Sequence, residues 1–377
     1  MMRRDFMRLT AATPFLFSMT PSRAASLPAE EWRTFELVYH IDLAAQKGAG
    51  QLWLPLPVDA GDYQRVISVT WKTAPERAAL TWDTDYRAPL FAAEWAPAHT
   101  DRQLAVTTVV ATRNRNRSPA GGVHVVTPDV ARYLEPTTNM PIDGIVETTA
   151  AKIVHGITDP DARAKAIYDW VVDNTFRKPT VRGCGLGNIK FMLETGDLGG
   201  KCADINSLYV GLARAAGLPA REMYGVRVAD SALFNSLGRA GDVSKAHHCR
   251  AEYFSPRHGW VAVDPADVRK VVLEEKLALS DPRVIALRER LFGYWEMNWV
   301  GLNTARDFDL APPASAPLPY LMYPYAEFGD TRLDGREPEH FDFRLTSREL
   351  TRLCSRNWVY WSMLSWSMPP PAWRPVW

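Results

Sequence analysis

The feature that most constrains this chain is a short glycine–cysteine segment followed by a helical pattern. Residues 199–204 read Gly-Gly-Lys-Cys-Ala-Asp, and they place Cys202 in the first turn of a predicted helix. N–H groups and the dipole at a helix N-terminus stabilise a thiolate, so Cys202 is a candidate nucleophile, with a buried structural cysteine as the alternative. Apolar residues then recur at the spacing of one helical face: Ile205, Leu208, Tyr209, Leu212, Ala213 and Ala216.

Two predicted strands downstream supply a candidate base and a candidate acid. They flank a turn whose residues include Pro256, and an antiparallel hairpin centred there would set Asp264 directly opposite His248. In that register the carboxylate can bond one nitrogen of the imidazole. His247 has the opposite strand parity and is expected to point away. A Cys, a His and an Asp therefore provide a nucleophile, a base and a group that orients the base.

These segments resemble the core of the transglutaminase-like superfamily. The resemblance implies an α+β fold with a papain-like catalytic core, and a Cys-His-Asp triad carried onto Cys202, His248 and Asp264. Two positions depart from the family pattern, because Arg250 stands where an aromatic residue is usual and Ala266 where a threonine is usual. Both departures leave the choice of substrate open. The matching segments are Gly199–Asp204, Gly217–Arg221, His248 and Gly259–Pro265.

The function expected from this triad is thiol-dependent amide chemistry without a cofactor. The Cys202 thiolate would attack an amide carbonyl, the Cys202 N–H would help to hold the oxyanion, and a thioester would form. Water would then release an acid, whereas an amine would give a transamidated product. A peptide, a protein or an amide of the cell envelope is the expected substrate, and the sequence does not decide between hydrolysis and transfer.

Two other functions compete with this interpretation. A zinc site formed by Cys202, His248 and Cys249 is disfavoured, because neighbouring strand residues point to opposite faces and the spacing matches no paired zinc knuckle. A catalytically silent exported binding or scaffold protein with the same fold is the second alternative. A thiol-reactive probe distinguishes it from an enzyme, since labelling of Cys202 should depend on His248 only in the enzyme.

Several other polar residues near these motifs have structural interpretations. Asp204 is expected to bond backbone N–H groups of the first helical turn rather than to act as a catalytic acid. Glu252 shares strand parity with His248 and is expected to form a salt bridge rather than to line the cleft. Cys184, in the sequence Gly-Cys-Gly, is expected to have a structural role in a turn, with a second active-site thiol as the alternative, and its disulfide with Cys249 is the first pairing to test.

The first 24 residues have the features of an export signal. Arg3-Arg4-Asp5-Phe6-Met7-Arg8 resembles a twin-arginine motif, and the apolar run 9–19 follows it. Ser22 and Ala24 supply small residues for a cut after Ala24. The sequence thus predicts an enzyme that works in a bacterial periplasm or outside the cell, with a disordered basic N-terminus as the alternative.

Composition excludes some partners and suggests two domains. With 377 residues, 46% of them hydrophobic, the chain can bury a sizeable core. The formal net charge of +1 gives no reason to expect nucleic acid or an anionic membrane as a partner. Beyond the leader, no stretch approaches 18 consecutive apolar residues, so we expect no transmembrane segment. The oligomeric state cannot be derived from these features.

The order of predicted elements gives the domain organisation. Strand-like segments fill residues 30–125, which predicts an N-terminal β-sandwich domain, and helices precede strands over 140–350, which predicts the α+β catalytic domain. The segments 320–328 and 341–345 are expected to complete or extend the catalytic sheet. The tail, 351–377, is rich in Trp and Pro and is expected to wrap the catalytic domain, although a membrane surface or disorder is also compatible with its composition.

Overall fold

The computed structural model describes residues 32–72, 75–337 and 341–350. The predicted export signal (1–24) and the Trp- and Pro-rich tail (351–377) lie outside the described residues, and both stay predictions. Within the described ranges, no helix combines the length and the apolar character needed to cross a membrane.

Two five-stranded antiparallel sheets form the N-terminal β region, with strands numbered along the chain. In spatial order the first sheet contains β11 (Gly241–Asp242), β18 (Phe343–Leu350), β1 (Arg33–Asp42), β6 (Gln103–Thr112) and β3 (Gln64–Lys72). In spatial order the second contains β17 (Thr331–Asp334), β16 (Tyr325–Phe328), β2 (Gly50–Pro55), β5 (Pro89–Trp95) and β4 (Arg77–Trp82).

The two sheets share one hydrophobic core. Alternate residues of β1, among them Phe35, Leu37 and Tyr39, are buried, as expected for a strand with one face against a core. The same cluster contains Leu54 of β2 and Phe91 of β5, which belong to the other sheet. Because side chains of both sheets meet in this cluster, the predicted antiparallel β region is confirmed.

The partners of the last strands differ from the prediction. Residues 325–328 pair with β2, and 343–350 pair with β1, so neither segment extends the catalytic sheet. The prediction was wrong because alternation identifies a strand and its buried face but carries no information about which sheet the strand joins. As a consequence, the chain returns to the N-terminal β region after the last strand of the α+β core.

The α+β core, which is the domain predicted to be catalytic, contains a four-stranded antiparallel sheet and most of the helices. The sheet consists, in spatial order, of β13 (Gly259–Val263), β12 (Arg250–Ser255), β10 (Ala220–Arg227) and β15 (Trp299–Asn303). Two short pairs flank it: β14 (Tyr294–Trp295) with β7 (Arg115–Asn116), and β8 (Phe176–Arg177) with β9 (Gly199–Gly200). The α-helices are α1 (Pro128–Ala131), α2 (Gly144–Ile153), α3 (Pro160–Asn174), α4 (Ile189–Thr195), α5 (Cys202–Ala215), α6 (Pro265–Glu274) and α7 (Pro282–Arg290).

Helix α5 is the centre of the core. All residues from Cys202 to Arg214 are buried, which is typical of a helix enclosed on every side. Helix α3 packs against α5, because both helices contribute to one core cluster and the rings of Tyr168 and Tyr209 lie 6.4 Å apart. Asp159 caps α3, since the Ala162 N–H donates to Asp159 Oδ1 at 2.9 Å.

The hairpin that follows α5 has a different register from the predicted one. Strands β12 and β13 are antiparallel as expected, but Ala251 pairs with Val263, and the hairpin is centred on Arg257 rather than on Pro256. The turn takes this form because Ser255 Oγ accepts the N–H groups of Arg257 and His258. In this register Asp264 lies just beyond β13 and is not the strand partner of His248.

Candidate active site

Cys202 is the first residue of α5, and its loop is fixed by one carboxylate. Asp204 accepts the N–H groups of Lys201 at 3.0 Å, Leu186 at 3.0 Å and Gly187 at 2.9 Å. The structural interpretation of Asp204 therefore agrees with these contacts. Gly200 is also required, because a Cβ atom at this position would lie 2.4 Å from Asp204 Cβ. Together these contacts hold Cys202 at the unpaired N–H groups of the helix start.

His248 and Asp264 are in contact although the predicted register is wrong. His248 Nε2 lies 2.7 Å from Asp264 Oδ2. The backbone of His248 is held on both sides, since its N–H donates to the Gly225 carbonyl and its carbonyl accepts the Trp299 indole N–H, each at 2.9 Å. Asp264 caps α6, because its Oδ1 accepts the Asp267 N–H at 3.1 Å. His248 therefore lies in a loop and Asp264 at a helix cap, although the sequence predicted that the two residues would lie on paired strands.

A second carboxylate, which the sequence analysis missed, also contacts the imidazole. Asp267 Oδ1 lies 3.3 Å from His248 Nε2, and the Arg227 guanidinium holds the same oxygen at 2.5 Å. Arg250 Nε lies 3.6 Å from Asp264 Oδ2. All five side chains are buried, with relative exposures of no more than 4%. The departure from the family pattern at Arg250 therefore adds a cation to the acid side of the site.

Asn206 connects the nucleophile helix to the other two residues, and it too was missed. Its Nδ2 donates to the Cys249 carbonyl at 2.8 Å and lies 3.4 Å from Asp264 Oδ1. Its Oδ1 accepts the Ala266 N–H at 3.4 Å. The signal for this residue was present in the sequence, because Asn206 is a polar residue one turn after Cys202 and therefore lies on the same face of the helix. Buried amides of this kind need partners, and here the partners are the rest of the site.

The charges around His248 decide its protonation. Burial and the Arg227 charge oppose a positive imidazole, but the charges of Asp267 and Asp264 outweigh them and raise the pKa of His248. Burial and the Asp267 charge raise the pKa of Asp264. Asp267 behaves differently: burial opposes its charge, but Arg227 and His248 hold the pKa of its carboxyl well below the usual range. The pKa values of the two carboxyl groups are thus shifted in opposite directions.

The pKa of the buried Cys202 thiol is shifted in the direction opposite to the shift that burial alone would cause. Burial alone opposes a thiolate, but hydrogen bonds with Cys184, Cys249 and His248, together with the His248 charge, hold the pKa of Cys202 well below its usual range. Because His248 Nε2 is bound to Asp264, the nitrogen left for the thiol is Nδ1. The site therefore favours a thiolate beside an imidazolium.

The remaining predicted residues have other contacts. Glu252 is fully buried and bonds the guanidinium groups of Arg115 and Arg221, so the predicted salt bridge is confirmed. The His247 ring lies 4.2 Å from the Tyr323 ring, and burial lowers the pKa of His247 to about 4. This histidine is therefore neutral at pH 7.

Three cysteines lie near one another, all as free thiols: Cys184, Cys202 and Cys249. The Cys184–Cys249 disulfide that the sequence suggested is accordingly not formed. His248 and Cys249 both interact with the Cys202 thiol, so the argument that they point to opposite faces is wrong. It failed because β12 begins only at Arg250, and strand alternation does not apply to the two residues before it.

The site does not fit a metal cation. Within the part of the chain that the structure describes, the one group of three possible ligands whose atoms all lie within 4.8 Å is His248, Asp264 and Asp267. Arg227 and Arg250 already contact these carboxylates and supply the positive charge that an ion would provide. The zinc set considered above, which includes Cys249, is not such a group.

The site is closed in this conformation. Cys202 and His248 are each 2% exposed, and Asp264 is fully buried. Residues of the segment that precedes β16 contribute to this cover, because the Tyr320 hydroxyl donates to the Gly185 carbonyl at 2.6 Å and the Tyr323 hydroxyl donates to Cys184 Sγ at 2.9 Å. A substrate carbonyl can reach the sulfur only after neighbouring residues move.

Comparisons with known proteins agree with this architecture. The sequence profile of the transglutaminase-like superfamily matches residues 147–265, a range that includes Cys202, His248 and Asp264. The chain is 40% identical over 338 residues to an uncharacterized protein of Haemophilus influenzae, with 84% of this chain and 91% of that protein covered. It is also similar in fold to a candidate cysteine protease from Cytophaga hutchinsonii, with a TM-score of 0.52 and 14% identity, and 85% of this chain and 92% of that one are covered.

Proposed function

Because this chain belongs to the transglutaminase-like superfamily, we propose that it is a thiol-dependent enzyme that hydrolyses or transfers amides through Cys202, His248 and Asp264. The observation that carries the proposal is the buried contact of 2.7 Å between His248 and Asp264, beside a thiol whose pKa is held low. Perturbed titratable groups that converge in this way are typical of catalytic sites. The substrate class is a peptide, a protein or a cell-envelope amide.

The first half of the reaction forms a thioester. The Cys202 thiolate attacks the carbonyl carbon, and the N–H of Cys202 at the start of α5 is available to the developing oxyanion. The His248 imidazolium donates its Nδ1 proton to the departing amine nitrogen. Asp264 keeps the ring oriented through its bond to Nε2. Asp267, the second carboxylate in contact with the ring, stabilises the positive charge of the imidazolium.

The second half of the reaction regenerates the thiolate. His248, now neutral, removes a proton from the attacking water or amine. The oxygen of the water, or the nitrogen of the amine, forms a bond to the carbonyl carbon of the thioester. Collapse of this second tetrahedral species expels the Cys202 thiolate beside a newly protonated imidazole. Water gives the carboxylic acid and an amine gives a new amide, so the same residues support both outcomes.

The decisive experiment measures ammonia release from glutaminyl peptides, with and without an added primary amine. We expect release by the wild type and none by Cys202→Ala, whereas Cys354→Ala, which removes a thiol outside the described residues, should retain activity. Release without the amine identifies a hydrolase, and a new amide product only with the amine identifies a transferase. Because glutaminyl peptides represent one amide class, peptide and cell-wall amides serve as further substrates in the same comparison.

A silent binding or scaffold protein is the second candidate, and the closed site is the observation that favours it. Cys202 and His248 are each only 2% exposed, as expected of a site that no longer admits substrate. Labelling of Cys202 by iodoacetamide as a function of pH separates the two functions. An enzyme requires labelling that starts below the pH of an ordinary thiol and falls in His248→Ala, and a scaffold requires labelling that does not respond to His248.

We also propose that the enzyme works in the periplasm or outside the cell. This proposal rests on the twin-arginine pattern of residues 3–8 and the small residues before position 25. Fractionation of cells that express the full chain should place the mature protein outside the cytoplasm. Replacement of Arg3 and Arg4 by lysine should leave it inside, and retention of export by that variant would contradict the proposal.

A further inference from the structure

Two of the four cysteines of this chain, Cys184 and Cys249, lie beside the reactive sulfur of a third, Cys202. The relative exposures of Cys184, Cys202 and Cys249 are 5%, 2% and 0%. Cys202 interacts with both neighbouring thiols, although amide chemistry needs only one thiol. The two additional thiols therefore require their own explanation. A low-pKa thiolate with another thiol beside it is the arrangement of cysteines that undergo reversible oxidation.

We propose that Cys184 is a resolving thiol, which captures Cys202 as a disulfide after Cys202 has been oxidised by a hydroperoxide. The pair would then be a reversible oxidation site that protects the nucleophile from permanent damage. This inference goes beyond the proposed amide chemistry. It requires the Cys202 thiolate but no amide substrate.

The backbone places Cys184 at a suitable separation from Cys202. The carbonyl of Cys184 accepts the Ala203 N–H at 2.9 Å, so the two chain segments run side by side at the start of α5. Cys184 is therefore hydrogen-bonded to the chain neighbour of Cys202, and a disulfide requires Cα atoms about 4–7 Å apart. The thiol of Cys184 already faces this region, since it interacts with Cys202 and accepts the Tyr323 hydroxyl.

Cys184 is also better suited than Cys249 to the movement that bond formation requires. Gly183 and Gly185 flank Cys184 with φ angles of 53° and 93°, so the thiol lies in a loop and not in a regular element. Cys249, in contrast, lies between His248, whose N–H and carbonyl are both bonded, and the start of β12, and its own carbonyl accepts Asn206 Nδ2. A disulfide to Cys249 would displace the base and the sheet together.

The charges favour this order of events. The interaction with Cys202 is the largest cause that raises the pKa of Cys184, burial adds to it, and the Tyr323 hydroxyl acts in the opposite direction. While Cys202 is a thiolate, Cys184 therefore stays protonated and does not compete as a nucleophile. Oxidation removes the negative charge from Cys202, and with it a principal barrier to ionisation of Cys184.

The proposed steps balance with a hydroperoxide as the oxidant. The Cys202 thiolate attacks one peroxide oxygen, a sulfur–oxygen bond forms as the oxygen–oxygen bond breaks, and water or an alcohol leaves after protonation. The Cys184 thiolate then attacks the sulfenic sulfur of Cys202, a sulfur–sulfur bond forms, and the hydroxyl leaves as water. The two thiols together lose two electrons and two protons, and the peroxide is reduced.

The test uses the full chain, hydrogen peroxide and mass spectrometry under non-reducing conditions. The wild type should lose about 2 Da without a stable gain of oxygen, and peptide mapping should locate the bond between Cys184 and Cys202. Dithiothreitol should restore iodoacetamide labelling of Cys202. In Cys184→Ser the disulfide should be absent, and the fraction of Cys202 lost irreversibly to sulfinic or sulfonic acid should rise about tenfold.

Cys249→Ser is the matched control, because it removes the other neighbouring thiol and should still form the disulfide between Cys184 and Cys202. A bond mapped to Cys249, or reversible recovery in Cys184→Ser equal to that of the wild type, would overturn the proposal. Circular dichroism and the Cys184→Ala variant show whether a failure is one of folding. Since labelling and mass are the readouts, the outcome does not depend on whether the chain cleaves or transfers amides.

Discussion

The two sides of the candidate site are held by different kinds of interaction. The acid–base side, which comprises His248, Asp264, Asp267, Arg227 and Arg250, is a network of buried charges with contacts of 2.5 to 3.6 Å. On the thiol side, which comprises Cys202, Cys184, residues 183–187 and Tyr323, Asp204 and Arg306 bond the backbone of the loop, and the Tyr323 hydroxyl bonds Cys184. The Tyr323 contact is one neutral hydrogen bond, so it is broken at lower cost than the buried ion pairs of the first side.

This difference indicates how a closed site can work. A buried charge network loses several interactions at once if one member moves, so we expect the imidazole and its carboxylates to be preformed. On the thiol side, Asp204 and Arg306 hold Leu186 and Gly187, whereas Tyr323 reaches Cys184 through a single neutral hydrogen bond that is easier to break. Admission of substrate is therefore expected to involve the thiol side, with the base already in place.

The strongest way to test the acid–base side is to remove its base. His248→Asn should lower kcat/KM for amide release by roughly 10⁴-fold, because the variant can neither form the ion pair with Cys202 nor protonate the leaving group. His247→Asn is the matched control: it changes the neighbouring buried histidine, which packs on Tyr323, and its effect should be far smaller. Equal losses of kcat/KM in the two variants would mean that the loss comes from disturbed packing around both histidines and not from removal of the base.

The next test concerns the stability of the charge network. Asp267→Asn leaves the buried Arg227 without its closest carboxylate, and we expect the free energy of unfolding to fall by about 3–5 kcal/mol. Urea denaturation followed by circular dichroism measures the change. The double variant Arg227→Met/Asp267→Leu removes both charges, so it should recover much of the loss. If the double variant is no more stable than Asp267→Asn, the cost does not come from an unpaired charge.

The pH dependence of the rate tests the same network with a smaller effect. The reactive form pairs a thiolate with an imidazolium, so kcat/KM should rise as the pH passes the lowered pKa of Cys202 and fall as it passes the raised pKa of His248. The Asp267 charge helps to raise the pKa of His248, and its removal in Asp267→Asn should move the alkaline limb to lower pH. Asp173→Asn, on the exposed face of α3, should leave both limbs in place. An unshifted alkaline limb in Asp267→Asn would assign that limb to another group.

The helical half of the site was predictable because local rules decide it. The segment before Cys202 and the apolar face after it determine where α5 begins, and the carboxylate three residues from its cap occupies the first turn as expected. The choice of His248 and Asp264 also followed from the sequence. Their contact, however, arises from a helix cap and a loop, and the assumed hairpin register was incorrect.

What could not be predicted depends on contacts between distant segments. Asp267 is recognisable as a residue near the site only when α6 is known to begin at Pro265, and Arg227 reaches it from a different strand. Similarly, the alternation in β18 identifies a strand, but it does not indicate that this strand lies between β1 and β11. Sequence periodicity indicates which face of an element is buried and where the element ends, but it does not indicate which distant segments lie next to it.

The smallest expected effect tests the thiol side. Tyr323→Phe removes the hydroxyl that donates to Cys184 Sγ, a single neutral hydrogen bond with a net contribution of about 0.5–1.5 kcal/mol. Because the ring remains against His247, we expect packing to persist and the rate of Cys202 alkylation at a fixed pH to change by less than about tenfold, with faster labelling if the cover is loosened. Tyr325→Phe, whose hydroxyl bonds Glu327 on the same segment, is the control and should leave the rate unchanged. A loss of labelling in Tyr323→Phe as large as that in His248→Asn would mean that both sides of the site are equally rigid, and the distinction between a fixed base and an adjustable thiol loop would then have to be abandoned.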